Sequence, residues 1–351
     1  MKYSDITKLK HLAQDKISRS ANPAIVRNST VFFKNMQELI KHESLVKRGS
    51  KVNFYEYGRA GSQTTIALEN FISNLENAHR TFLTSTGFGA IALAIISICR
   101  PKDEIIVTDA VYAPTRMITS KLLKEFNVKT HFYNPESLES LQSKINKKTK
   151  MIFVENPGSN TFEFQDLSKI IKIAKKRKII TAIDNTWGTP FFIKPLKIGF
   201  DMSISSGTKY LSGHSDVMLG SLAVNKKVFE KVKFCNKLLG YRASPDDAYL
   251  VLRGLRTLDV RLKKHEETTK KIVNFLKTQK KINEILYPYK KGTENYENWK
   301  KYYSGSTGLF SVIIKSKNRN SIYKFINSLK LFGIGQSWGG FESLVLYQSN
   351  N

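Results

Sequence analysis

The chain has 351 residues, 41% of them hydrophobic, enough for one large core or for a large and a small domain, which excludes a disordered or fibrous protein. Lys and Arg number 57 against 29 Asp and Glu, a formal charge of +28, yet the lysines fall in scattered pairs such as Lys175-Lys176, Lys263-Lys264 and Lys290-Lys291. No basic stripe interleaved with aromatics and no zinc-finger spacing accompanies that charge, so a nucleic-acid-binding protein is only a remote alternative and compositional bias explains it as well.

Residues 1–60 show no regular alternation and are expected to form an irregular arm that could wrap a neighbouring subunit. Within it, Tyr55-Glu56-Tyr57-Gly58-Arg59 sets a guanidinium beside a glycine, an arrangement able to grip a phosphate in bidentate fashion. Taken alone, Arg59 reads equally as an ordinary surface residue. From residue 80 to about 225, short β-branched runs alternate with helical patterns, the signature of a parallel sheet covered by helices on both faces. Strands are expected at 81–84, 104–108, 130–133, 151–155, 179–184, 202–205 and 221–224, and helices at 90–98, 116–126 and 167–175.

After the first strand, Thr84-Ser85-Thr86-Gly87-Phe88-Gly89-Ala90 opens an apolar helix. Its free N–H groups and positive helix end suit a phosphate, and Gly87 and Gly89 let the anion come close. The third glycine of a dinucleotide fingerprint and the Gly-Lys-Ser/Thr ending of a P-loop are missing, so one phosphate fits better than a pyrophosphate. Tyr112 lies just beyond the second strand, at the rim where a planar ring can stack.

Asp184 ends the apolar run 179–183, the position where ligands of open α/β sheets sit, with Asn185 and Trp187 able to wall a pocket. By itself it reads also as a turn or helix cap. Further on, Ser206-Gly207-Thr208-Lys209-Tyr210 adds an amine and two hydroxyls. Amine, hydroxyls and carboxylate are the parts that hold pyridoxal 5'-phosphate (PLP). The amine condenses with its aldehyde, the hydroxyls bind its phosphate, and the carboxylate keeps its pyridine nitrogen protonated so that the ring can act as an electron sink.

Gly213-His214-Ser215-Asp216 invites a hydrolase reading, but neighbours in sequence do not face one another as a triad and no Gly-x-Ser-x-Gly elbow occurs. Cys99 and Cys235 stand outside any C-x-x-C pair, and the six histidines lack metal-ligand spacing. The N-terminus carries no apolar leader, and the longest apolar stretch, 90–99, is about half the ~20 residues that span a bilayer. A soluble, cytoplasmic protein is expected. Past a basic helical stretch at 252–276, a smaller unit is expected, with strands at 309–314 and 343–347 and a helix at 321–329. The expected division is an arm at 1–60, a large domain at 61–255 and an incomplete small domain at 256–351.

Together these segments resemble the Cys/Met-metabolism family of fold-type I PLP enzymes, and within it the bacterial cystathionine β-lyase branch. The resemblance runs nearly end to end, from Asn22-Pro23-Ala24-Ile25-Val26-Arg27 to Ser337-Trp338-Gly339-Gly340-Phe341-Glu342-Ser343. Its most specific stretches are Thr208-Lys209-Tyr210-Leu211-Ser212-Gly213-His214-Ser215-Asp216, Glu155-Asn156-Pro157-Gly158-Ser159 and Arg253-Gly254-Leu255-Arg256-Thr257-Leu258. The Pro-Gly-Ser turn and Ser-Trp-Gly-Gly favour the β-lyase over γ-lyases and γ-synthases.

The resemblance implies a mostly parallel α/β sheet with helices on both faces and a smaller C-terminal α/β domain. Lys209 would be the Schiff-base lysine, Asp184 the partner of the pyridine nitrogen, and Tyr112 a ring-stacking residue that handles protons. Gly87, Phe88, Ser206 and Thr208 would bind phosphate, with Tyr57 and Arg59 reaching it from a neighbouring subunit, while Ser337 and Trp338 would line the substrate pocket. The implied activity is carbon–sulfur β-elimination from L-cystathionine, giving homocysteine, pyruvate and ammonia for methionine biosynthesis, by a homodimer or homotetramer. Cysteine desulfhydrase or γ-lyase activity, or a non-catalytic relative that still binds PLP, are the alternatives. Family members continue past Ser-Trp-Gly-Gly into a segment whose arginine grips the substrate α-carboxylate. With Asn351 as its last residue, the sequence implies that turnover suffers more than cofactor binding, with Arg116 as a candidate substitute.

Overall fold

The computed structural model describes residues 3–14, 19–50, 52, 54–316 and 318–348. Its centre is a seven-stranded sheet of β1 (Arg80–Thr84), β2 (Glu104–Thr108), β3 (Lys129–Tyr133), β4 (Thr149–Glu155), β5 (Ile180–Asp184), β6 (Met202–Ser206) and β7 (Gly220–Val224). Each of the seven strands expected from the sequence is present, and the spatial order is β1-β7-β6-β5-β4-β2-β3. The run from β6 through β5, β4 and β2 to β3 is parallel. β7 runs antiparallel to both β6 and β1. The reversal follows from the connection: the turn carrying Lys209 leads straight from β6 into its neighbour β7, with no crossover helix to restore the parallel direction.

Alternation along the strands sends side chains to two cores. Ile106, Ile152, Val154 and Ile183 pack with Leu68, Phe71, Ile72 and Leu75 of α3 (Gln63–Glu76) and with the helix Leu167–Lys176. Ile105, Val107, Met151, Phe153 and Ala182 pack instead against α4 (Gly87–Ile98). Strands buried on both faces need no polar alternation, which is why they stand out as apolar runs. For the same reason α4 is apolar all round: Ala90, Leu93, Ala94 and Ile95 are fully buried.

The N-terminal segment is less irregular than expected. It contains α1 (Asp5–His11) and α2 (Met36–Lys47), whose first turns are closed by the side chains of Ser4 and Asn35. Helix α1 docks on its own chain. Leu9 is fully buried, its carbonyl accepts from Arg256 Nη1 at 2.9 Å, and Asp5 pairs with Lys194 at 2.8 Å.

The C-terminal part begins with the helices Pro245–Leu255 and Leu258–Leu276. It continues with β8 (Ile282–Leu286) paired antiparallel to β9 (Ser311–Ile314), the helices Glu294–Tyr302 and Arg319–Asn327, and a two-residue pairing of Gly333–Ile334 with Leu344–Val345. It is fastened to the large sheet by Tyr303, whose hydroxyl donates to the Asn156 carbonyl at 2.6 Å, and by Trp187 Nε1, which donates to the Leu309 carbonyl at 3.1 Å. Among the described residues no helix is long and apolar enough to cross a membrane.

Candidate active site

The carboxyl ends of β4, β5 and β6 carry the polar residues that the sheet has no other use for. Asp184 closes β5; it is 8% exposed, and one carboxylate oxygen accepts from the Thr186 N–H at 2.9 Å and the Thr186 hydroxyl at 2.6 Å. That hydroxyl in turn accepts from the Ser206 N–H at 2.9 Å, which ties the end of β6 to the carboxylate. Burial pushes the Asp184 carboxyl upward, while the two Thr186 donors and the nearby Lys209 amine pull it back toward the anion.

Where β6 ends, the first turn of α4 arrives. A Cβ at Gly87 would lie 2.6 Å from Ser206 Oγ, and one at Gly220 only 2.2 Å from the Thr86 carbonyl, so glycine alone permits this closeness. Thr86 caps the helix by accepting from the Gly89 N–H at 2.9 Å. The N–H groups of Gly87 and Phe88 have no carbonyl to reach within the helix, and Gly87 itself lies close against Ser206 at a positive helix end. Thr208 Oγ1 accepts from the Leu219 N–H at 3.1 Å, holding the same turn against β7.

Lys209 follows in the single turn Gly207–Leu211 and is the one residue there with non-helical angles, φ −90° and ψ −126°. Its Nζ donates to Ser337 Oγ at 2.7 Å and lies 5.4 Å from the Trp338 ring centre. Burial lowers the affinity of this amine for its proton, against the pull of Asp184 and Glu342. Trp338 also meets Tyr210, ring centres 5.4 Å apart. Gly339, at φ +85°, lets the strap between Gly333–Ile334 and Leu344–Val345 pass so near that a Cβ there would touch the Tyr210 main-chain nitrogen at 3.0 Å.

The structure thus brings together Lys209, Asp184, Ser206, Thr208, Gly87, Phe88, Ser337 and Trp338. Tyr112 joins them at the rim, 45% exposed, with its hydroxyl held above its ordinary pKa by burial and by the charges of Asp184 and Glu155. Tyr57 and Arg59 are elsewhere. Tyr57 precedes and Arg59 lies within a short turn, Gly58–Ala60, whose Gly58 N–H donates to the Ser29 carbonyl at 2.7 Å, and the Arg59 guanidinium sits 5.8 Å from the Tyr57 ring. Among the described residues neither hydrogen-bonds to the Lys209 cluster. Arg116 is already engaged: it donates to Asp109, including the main-chain carbonyl at 2.5 Å, and covers the Phe132 ring at 4.1 Å.

Sequence reasoning missed two residues. Glu155, at the end of β4, pairs in register with Asp184. Ser215, seen only as one third of a false triad, donates to Glu342 Oε1 at 2.7 Å and so buttons the strap onto the lysine loop. His214 turns its Nδ1 to the Ser212 carbonyl at 2.6 Å instead of toward Ser215. An acid beside an N–H 43 residues away in sequence leaves no local pattern, so only the fold reveals such pairs. Among the described residues no group of three or more His, Cys, Asp or Glu could hold a metal ion.

An amine, a buried carboxylate behind it and a glycine-lined helix end beside a serine, all at one edge of a doubly covered sheet, fit PLP and define an α/β enzyme that depends on it. Residues 7–351 match the family described as Cys/Met metabolism PLP-dependent enzyme, and the chain belongs to that family. It is 34% identical to the cystathionine beta-lyase of Haemophilus influenzae, over 93% of this chain and 82% of that one. It is 32% identical, with the same coverage, to the L-alanine/L-glutamate racemase of Wolbachia pipientis. In structure it resembles the cystathionine gamma synthase of Xanthomonas oryzae pv. oryzae in complex with aminoacrylate and cysteine. That likeness has a TM-score of 0.90 at 28% identity and covers 98% of this chain and 86% of the other. PLP is therefore the cofactor, and the chain is an enzyme of the PLP-dependent lyase and trans-sulfuration group.

Proposed function

We propose that the chain is a carbon–sulfur β-lyase that cleaves L-cystathionine with uptake of water into L-homocysteine, pyruvate and ammonia. The observation that carries this reading is the contact of Ser337 and Trp338 with the Lys209 amine, which puts the Ser-Trp-Gly-Gly strap at the point of chemistry. The name of the Haemophilus relative supports it. Bound PLP supplies the electron sink that lets a proton leave the substrate α-carbon.

The protein's own residues do the rest. The Lys209 amine, made less basic by burial, is the group that takes the α-proton, and Ser337 Oγ fixes its position. Asp184, held by the two Thr186 donors, keeps the cofactor's ring nitrogen charged. Ser206, Thr208 and the free N–H groups at the start of α4 receive the phosphate. Tyr112 keeps its hydroxyl proton at neutral pH, available to the departing sulfur. Trp338 and Ser337 form the wall against which the thioether lies.

Tyr57 and Arg59, remote from Lys209 in their own chain, are read as the contribution of a second copy, so a dimer is the smallest complete unit. The division into an arm (1–60), a large domain (61–255) and a small domain (256–351) belongs to the same reading. The test is the purified chain with PLP and L-cystathionine: stoichiometric pyruvate and homocysteine support β-cleavage, and 2-oxobutyrate with cysteine would point to γ-cleavage. A second reading, racemisation, is favoured by the Wolbachia relative. Loss of optical activity of L-alanine without pyruvate from cystathionine would establish it in place of the first.

A further inference from the structure

The half-buried acid at the site that the proposed chemistry leaves idle is Glu155. It ends β4 directly beside Asp184 at the end of β5, and residues in register on neighbouring parallel strands send their side chains to the same face. Its Oε2 accepts from the main-chain N–H of Tyr112 at 2.7 Å. Tyr112 begins the helix Ala113–Met117 as its N-cap, with no side-chain cap of its own, so this carboxyl is what fixes the start of that helix. Behind Glu155, the Gln165 amide donates to its carbonyl at 3.1 Å, and Gln165 is held by the Tyr133 hydroxyl at 2.6 Å. The support is therefore rigid on the side away from the site.

We propose that Glu155 is a positioning residue for the cofactor site, which holds the Tyr112 backbone so that the phenol ring stays over the place where PLP binds beside Asp184. The proposal rests on the family's cofactor, not on which thioether is cleaved. Two carboxylates in register on neighbouring strands repel, and the repulsion favours a proton on one of them. Asp184 has two Thr186 donors and the Lys209 amine to stabilise its anion. Glu155 has the Tyr112 N–H and the nearby Ser159 side chain, and loss of water around it, followed by the charge of Asp184, pushes its pKa well upward. Of the two it is the one that burial and its neighbour's charge favour in the protonated form. A neutral acid there leaves the charge of Asp184 undivided for the ring nitrogen, and its carbonyl oxygen still receives the Tyr112 N–H.

Glutamine reproduces that arrangement and alanine does not, which makes the pair a test. PLP affinity of the full chain is measured by titration after resolution and reconstitution, for wild type, Glu155→Gln, Glu155→Ala, Tyr112→Ala and the double variant, alongside thermal unfolding. The expected result is a PLP dissociation constant within about threefold of wild type for Glu155→Gln and raised roughly tenfold or more for Glu155→Ala. In the double variant, Glu155→Ala should add little to the loss that Tyr112→Ala has already caused, because both act through one ring. Additive losses, or a Glu155→Ala chain that folds and binds PLP like wild type, would overturn the proposal. Equal damage from glutamine and alanine would also overturn it, because the carboxyl would then be needed for its charge and not as an acceptor.

Discussion

The two halves of the site are built differently. Asp184, Glu155, Thr186 and Ser206 sit on or directly after strand ends; Asp184 and Thr186 are buried, and Asp184, Thr186 and Ser206 are linked by hydrogen bonds. Ser337 and Trp338 ride on a strap between two-residue strands, with Ser337 and its neighbour Phe341 exposed and the Ser215–Glu342 contact as a fastening. The sheet edge is preorganised by the core of the fold. The strap is held by a few surface contacts, so its sequence can vary without disturbing the machinery beneath. In the proposed function, cofactor chemistry falls to the first region and choice of substrate to the second, a division that would suit the lyase, synthase and racemase names among proteins similar to one fold.

The comparison is broken most directly at Asp184. Asp184→Asn keeps the shape and removes the charge, and turnover of L-cystathionine is expected to fall on the order of a thousandfold while the chain stays folded. A steady-state assay beside circular dichroism checks it. A loss below tenfold would mean that the sheet edge does not carry the chemistry.

A second effect of the buried region is on stability. Burial lifts Glu69 and Glu76 from their ordinary value of 4.5 to about 7; Glu76 accepts from Ser203 at 2.8 Å and Glu69 from Tyr55 at 3.1 Å. Acids whose folded pKa is raised bind protons that the unfolded chain has already released. Stability is therefore highest below about pH 4.5, so far as these groups are concerned, and declines as pH climbs to about 7, by up to roughly 3 kcal/mol for each group. Urea unfolding at pH 5 and pH 7.5 should show this slope in the wild type and a flatter one in the Glu69→Gln/Glu76→Gln double variant.

Gly87→Ala sharpens the border between helix and strand. The added methyl would meet Ser206 at 2.6 Å, and the shift it forces is expected to weaken PLP binding about tenfold with a stability loss of about 1–3 kcal/mol. The smallest effect is expected on the strap. Trp338→Ala should raise KM for cystathionine about tenfold while PLP affinity stays within about twofold, the split expected when only substrate binding is touched.

Much of the buried region was legible in the sequence because its physics is local. A strand covered on both faces is an apolar run, and Asp184 announced itself as the acid that ends one. The direction of β7 was not legible, since a run such as 220–224 has the same composition whichever way it points. Neither was α3, which buries Thr64, Thr65, Glu69 and Glu76 beside its leucines and so blurs the apolar stripe that marks a helix. The contacts of Glu155 with Tyr112 and of Ser215 with Glu342 join residues far apart in sequence, and no spacing rule finds them. The N-terminal helices escaped notice because α1 is short and α2 buries only His42.

The most direct measurement is borohydride reduction of the PLP-loaded chain followed by peptide mass spectrometry. The account predicts one pyridoxyl adduct, on Lys209, that disappears in Lys209→Ala. An adduct on another lysine, or PLP bound with no adduct at Lys209, would contradict it.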